Sequence, residues 1–139
     1  MTRRTLIVAA GVFLGTGGVI AARHDEKHET ARRLAVREIA EKLDGKATNA
    51  TAVEVTLGPG EAGAPHRHPG PAFGYVLEGE YEWAIDDKPA RVLKAGETFY
   101  EPGGCLHRVS RNPGKLKTRM LAWVLHPRDA KDLVIPEKP

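Results

Sequence analysis

A single cysteine among 139 residues removes two classes of site at once. Cys105 has no partner for an internal disulfide, and a multi-cysteine zinc centre needs thiolates that the chain does not hold. Charge of one sign is equally scarce. The formal net charge is +3, and without Arg3 and Arg4 of the leading segment it drops to +1, which leaves no electrostatic footprint for nucleic acid. Helical periodicity is missing after residue 45, where no long run repeats apolar positions at helical spacing. Long apolar runs are missing as well. The one extended stretch, Leu6 to Ala22, falls short of the roughly 20 residues that span a bilayer, and it is rich in glycine. What remains is a chain with 41% hydrophobic residues, 15 glycines and 10 prolines, the composition of one folded, turn-rich domain.

The first 22 residues, "MTRRTLIVAAGVFLGTGGVIAA", have a basic start, an apolar middle and small residues before a polar stretch. That is the pattern of a secretory signal, with Ala21 or Ala22 as its last residue. The Thr-Arg-Arg-Thr-Leu-Ile start resembles a twin-arginine export signal, which carries already folded proteins. The alternatives are an ordinary export signal and an uncleaved membrane anchor. On each of these readings the domain is exported, to the periplasm or outside the cell, and touches a membrane only if the segment is retained.

Residues 23–45 read as a charged linker. "RHDEKHETARR" lacks an apolar stripe, and "LAVREIAEKL" fits a short helix (Leu34, Ile39, Leu43) or a strand (Leu34, Val36). From residue 46 to 139 the chain reads as β. "TAVEVTL" places Val53, Val55 and Leu57 on one side, and "AFGYVLE", "EYEWAID", "DDKPARVL", "ETFYEP", "LHRVS" and "LKTRMLAWVLH" supply further strands. Turns rich in Gly, Pro, Asp or Asn separate them roughly every 8–12 residues, the rhythm of a sandwich or small barrel. The fold class is all-β, a barrel or jelly roll.

The chemistry centres on "APHRHPGPAFGYVLEGE". Residues i and i+2 of a strand share a face, about 6.6 Å apart, so His66 and His68 can meet one ion at bond lengths of about 2.0–2.1 Å. Arg67 points the other way. His107 follows a Pro-Gly-Gly turn and opens another apolar strand; if the two strands are neighbours, three imidazoles converge on a metal. A lone histidine is more often a surface or satisfied core residue, but the His-x-His pair with a third at a strand mouth favours metal. Across the Pro-Gly loop the same parity turns Ala72, Gly74 and Val76 inward and Phe73, Tyr75 and Leu77 outward, into packing between sheets or subunits. Tyr81, Trp83 and Tyr100 are candidate pocket residues, each weighed against a plain core position. Cys105 reads as a small buried turn residue, and His126 as a surface one. His24 and His28 sit in the charged linker and need no function.

Gly60, five residues, His66-Arg67-His68 and then Gly79 are similar to the first motif of the cupin family. Gly96, five residues, Pro102, Gly104 and His107, with Asn112 one place late, resemble the second. The resemblance runs from about Val53 to Leu125. It implies a small double-stranded β-helix with one metal inside, held by His66, His68 and His107, and a homodimer formed through the sheets. One feature departs from the family. The first motif normally supplies a glutamate with three or four residues between it and the second histidine, and those places hold Ala72 and Phe73. Glu78 lies some 20 Å further along an extended strand, and nothing in the spacing of Glu61 or Glu101 recommends either as a substitute. The site expected is therefore three neutral histidines and solvent, more positive and less suited to manganese than the four-ligand form. Iron, zinc, manganese and nickel all stay open.

Two functions follow. The first is a metal-dependent enzyme acting on a small molecule, dioxygenase-like in the reaction that the cupin resemblance suggests. No convincing general base is present, so no catalytic residue is assigned. The second is a non-catalytic periplasmic protein that captures a metal or small metabolite. A structural barrel with empty histidines is the plainest alternative.

Overall fold

The computed structural model describes residues 29–138, so the signal or anchor expected over residues 1–22 lies outside the described residues. The described chain is all β, with no helix. Its eleven strands are β1 (Thr30–Leu43), β2 (Lys46–Leu57), β3 (Ala62–Gly63), β4 (His66–Arg67), β5 (Ala72–Glu78), β6 (Glu80–Ile85), β7 (Arg91–Lys94), β8 (Thr98–Glu101), β9 (His107–Arg111), β10 (Thr118–Pro127) and β11 (Ile135–Pro136). The segment whose pattern fits helix or strand forms β1 and pairs antiparallel along β2. That pairing satisfies its backbone without an apolar stripe, which is why local periodicity did not decide the matter.

The strands form two antiparallel sheets, in the orders β1-β2-β10-β5-β8 and β11-β4-β9-β6-β7, with β3 paired to β9. This is the double-stranded β-helix. Alternation governs β5: Ala72 and Val76 are buried at 2% and 0% exposure, whereas Phe73, Tyr75 and Leu77 lie exposed on the opposite face. Between the sheets Leu57, Val76, Tyr81, Trp83, Ile85, Leu93, Phe99 and Met120 form one apolar cluster. Burying a side chain of that size contributes about 1.5–3 kcal/mol each, which makes this cluster the fold's main support. Phe99 lies against Tyr81 and Trp83, with ring centroids 5.5 and 5.9 Å apart. Gly74, on the inward face of β5, leaves the space the Phe99 ring fills, because a Cβ there would overlap the ring.

Two turns set the register. Gly79, at φ 78°, links β5 to β6 where a Cβ would come within 2.5 Å of the Lys117 carbonyl. Asn112 is fully buried and ties three segments. Its Nδ2 donates to the carbonyls of Leu57 (3.1 Å) and Leu116 (2.7 Å), and its Oδ1 accepts from Gly114 N (2.9 Å).

Candidate metal centre

β4 and β9 are direct neighbours, and the antiparallel register sets His66 opposite His107. Residues opposed in this way have Cβ atoms about 4.5–5.5 Å apart, and the two ring centroids stand 4.8 Å apart. His68 follows at the end of β4 and closes on His66 with the same 4.8 Å centroid spacing. The potential ligand atoms of all three lie within 4.8 Å of one another, so the group could hold a metal ion. Arg67 points away and is bound by Glu137 (2.9 and 3.1 Å) and the Gly104 carbonyl (2.8 Å).

Hydrogen bonds decide which nitrogens carry protons. His66 Nδ1 faces the Ala64 carbonyl at 2.7 Å, and His68 Nδ1 faces the Leu133 carbonyl at 2.6 Å. A carbonyl only accepts, so both Nδ1 atoms donate and both Nε2 atoms present lone pairs. Yet these two Nε2 atoms stand 3.3 Å apart. Two lone pairs at that distance repel unless a cation sits between them. Ligands bound at about 2.1 Å to one ion lie about 3.0 Å apart at right angles and about 3.4 Å apart at the tetrahedral angle, so the spacing fits a shared metal. Burial holds His68 below the ordinary imidazole range, in its neutral ligand form.

His107 is fixed from the other side by a chain of donors. The Glu29 carboxylate accepts from Ser110 Oγ (2.9 Å), so Ser110 accepts from Tyr81 Oη (3.0 Å). Tyr81 in turn accepts from His107 Nε2 at 3.1 Å. Burial pushes the Tyr81 phenol well above its usual range, which keeps it protonated for this relay. His107 Nδ1 is then left bare, buried and without a hydrogen-bond partner. Burial, then the neighbouring His66 and His68, push His107 down to about 3.

The three histidines expected from the sequence are brought together, and a carboxylate that its spacing did not recommend stands beside them. Glu101, 1% exposed, brings Oε2 to 3.4 Å from His68 Nε2 and Oε1 to 3.3 Å from His107 Nδ1. Its strand, β8, pairs with β5 so that Glu101 lies directly opposite Ala72. No spacing along the chain reveals that neighbour, since it arises from ladder register. Glu61, the other carboxylate left open, instead accepts from Gly58 N in its own turn. Trp83 Nε1 donates to Glu101 Oε1 at 3.0 Å, and burial raises the Glu101 carboxyl above its ordinary value.

Of the candidate pocket residues, Tyr81 and Trp83 reach the site through these bonds. Tyr100 does not; it is half exposed and stacks on Phe73 on the outer face, with centroids 5.0 Å apart. Cys105 packs against the core, and burial raises its thiol to about 11, which keeps it from acting as a thiolate. His126, expected at the surface, is buried at 6% exposure, with Nε2 2.9 Å from Thr51 Oγ1. Alternation along the long β10 strand turns it inward, a parity hidden by its place beside Pro127.

The histidines open on a small recess whose walls include Val53, Val55, Phe99, Met120, Val124 and Leu133. Among the described residues its lining carries no lysine or arginine, and Glu29 and Glu101 are its acidic groups.

Among solved structures, an oxalate oxidase in complex with the substrate analogue glycolate superposes with a TM-score of 0.58 and 25% identity. The alignment covers 77% of this chain and 54% of that one, so the chain spans about half the oxalate oxidase. An uncharacterized double-stranded β-helix protein from Klebsiella pneumoniae aligns with a TM-score of 0.54 and 21% identity over 66% of this chain and 84% of that one. A structure of DMSP lyases gives 0.55 and 16% over 64% and 44%. These last two likenesses speak to the fold. No curated protein matches the sequence significantly. The family model for the cupin domain matches residues 53–124, more than half of the chain and the stretch that carries all three histidines. With the double-stranded β-helix and the paired motifs in place, the chain belongs to the cupin family.

Proposed function

We propose that this chain is an exported, metal-dependent cupin enzyme that acts on a small oxygenated molecule by dioxygenase-like chemistry. The observation that carries the reading is the pair of Nε2 lone pairs on His66 and His68, held 3.3 Å apart with His107 beside them at the foot of a mostly apolar recess. A divalent ion there (iron, zinc, manganese or nickel) would supply Lewis acidity, and iron also redox chemistry. The protein's own residues do the rest. Ala64 and Leu133 carbonyls orient the two imidazoles. Val53, Val55, Phe99 and Met120 keep water from the reacting atoms, and Tyr81 holds the His107 proton on Nε2. The oxalate oxidase likeness, at 25% identity, supports a small oxygenated substrate.

A second reading, capture of a metal or metabolite without turnover, is favoured by the lining itself, where among the described residues Glu29 and Glu101 are the carboxylates. Metal analysis of the purified protein comes first. Oxygen consumption with iron restored is then screened over catechols, flavonols, diketones, small thiols and hydroxy acids. Turnover that disappears in His66→Ala supports the enzyme. A metal-loaded protein that shows no turnover, yet melts higher with one of these compounds, overturns it in favour of capture.

Export rests on the basic start and apolar run of residues 1–22, and N-terminal sequencing of the mature protein tests it. Intact Met1 in a cytosolic fraction would refute it. The partner proposed is a second copy. Register aligns Trp123, Phe73 and Tyr100 in one row across β10, β5 and β8, and all three are exposed at 38%, 49% and 50%. Such an outward aromatic row is a surface that association would cover. Phe73→Lys should convert a dimer to monomer in light scattering; a monomeric wild type would refute the pairing.

A further inference from the structure

We infer that Glu101 supplies a carboxylate ligand to the metal from strand β8, completing a sphere of three histidines and one acid. The inference rests on the metal reading above and names a residue that reading leaves out. Three pairs of acceptor atoms face one another at this point. His66 Nε2 faces His68 Nε2 at 3.3 Å, His68 Nε2 faces Glu101 Oε2 at 3.4 Å, and His107 Nδ1 faces Glu101 Oε1 at 3.3 Å. No proton donor stands between any of these pairs once the Ala64, Leu133 and Tyr81 bonds have fixed the tautomers. A shared cation turns all three repulsions into attraction at once, and all three separations match those of ligands around one ion, about 3.0–3.4 Å.

Two buried atoms point to the same place. Among the described residues, Glu101 Oε2 and His107 Nδ1 are buried without hydrogen-bond partners. Leaving a carboxylate oxygen buried and unpaired is costly, and among the described residues the recess lining offers no lysine or arginine to neutralise it. Trp83 Nε1 holds Oε1 at 3.0 Å and so aims the carboxylate. The room for it comes from across the ladder. Ala72 faces Glu101 directly, is itself buried, and fills little of the space between the strands with its methyl group.

The test titrates the chelated, full-length protein with cobalt(II) and follows affinity together with the visible spectrum of the bound ion. Glu101→Gln keeps the size and the Trp83 bond but not the charge. It should lower affinity by more than the roughly 10–100-fold that losing an outer partner costs, and it should change the cobalt spectrum. The double variant Glu101→Ala with Ala72→Glu returns a carboxylate from the opposed position and should recover affinity and spectrum. Melting curves of the chelated variants show whether each is folded. Equal affinity and an unchanged spectrum in Glu101→Gln overturn the assignment. So does a loss within 10–100-fold with the spectrum unchanged, which makes Glu101 a positioning residue for His107. A wild type that takes up no cobalt sinks the metal reading itself, a distinct outcome.

Discussion

Replacing Tyr81 with phenylalanine removes one oxygen from the middle of the His107–Tyr81–Ser110–Glu29 chain and leaves the packing of the ring on Phe99 intact. Tyr81 is 1% exposed, so water does not replace the hydroxyl. His107 Nε2–H then loses the acceptor at 3.1 Å, a buried donor left unpaired at a cost of about 1–3 kcal/mol. The imidazole has one escape. It can move its proton to Nδ1 and donate to Glu101 Oε1, 3.3 Å away, which brings the loss toward the lower end, about 1–2 kcal/mol. For a domain of this size that lowers Tm by roughly 4–8 °C per kcal/mol in chelated protein. The escape carries a second consequence. A proton on Nδ1 occupies the lone pair that the chain of donors had kept free for metal, so affinity should fall about 10–100-fold. Thermal melts in chelator and competition titrations against a chelating dye read the two effects separately. Ser110→Ala should act in the same direction but less strongly, because Tyr81 can then donate to His107. Unchanged Tm together with unchanged metal affinity in Tyr81→Phe would refute the reasoning, since the hydroxyl would then not set the state of His107.

Gly74→Ala should cost about 1–3 kcal/mol through collision with the Phe99 ring, seen as a lower denaturation midpoint; an unaffected midpoint would mean that the ring has room to move. Chelated protein should lose stability as pH falls from 7 toward 5. His107 stays neutral in the fold down to about 3, while its unfolded counterpart takes a proton near 6.5. The unfolded chain therefore binds more protons across that window, and His107 contributes a slope of up to about 1.4 kcal/mol per pH unit. The lowered value of His68 acts in the same direction, and the raised value of Glu101 opposes both as the pH nears the carboxylate range. A Tm that stays flat from pH 7 to 5 would contradict this balance. His126→Ala should destabilise by about 1–3 kcal/mol, because Thr51 Oγ1 loses its buried partner, yet leave metal affinity unchanged in the same titration. A fall in affinity would show that His126 is coupled to the metal site.

Local signals carried most of the architecture. Alternation within "AFGYVLE" fixed which β5 residues face inward, and glycine and proline marked the turns, because side-chain parity and turn conformation depend on a few adjacent residues. The His-x-His pair was legible for the same reason: two residues apart on one strand means one face. β1 was not, since a charged strand earns its place by pairing with β2 and has no pattern of its own. His126 was misplaced because burial depends on what packs over a strand end.

The sequence by itself determined an all-β chain, its strand periodicity and three histidines of the right type. Tertiary structure decided that His107 stands opposite His66, that Glu101 fills the place across from Ala72, and that Glu29 governs the His107 tautomer through two hydroxyls. Those relations join positions some 29 to 81 residues apart through ladder register and hydrogen-bond direction, quantities that exist only once separate strands are paired.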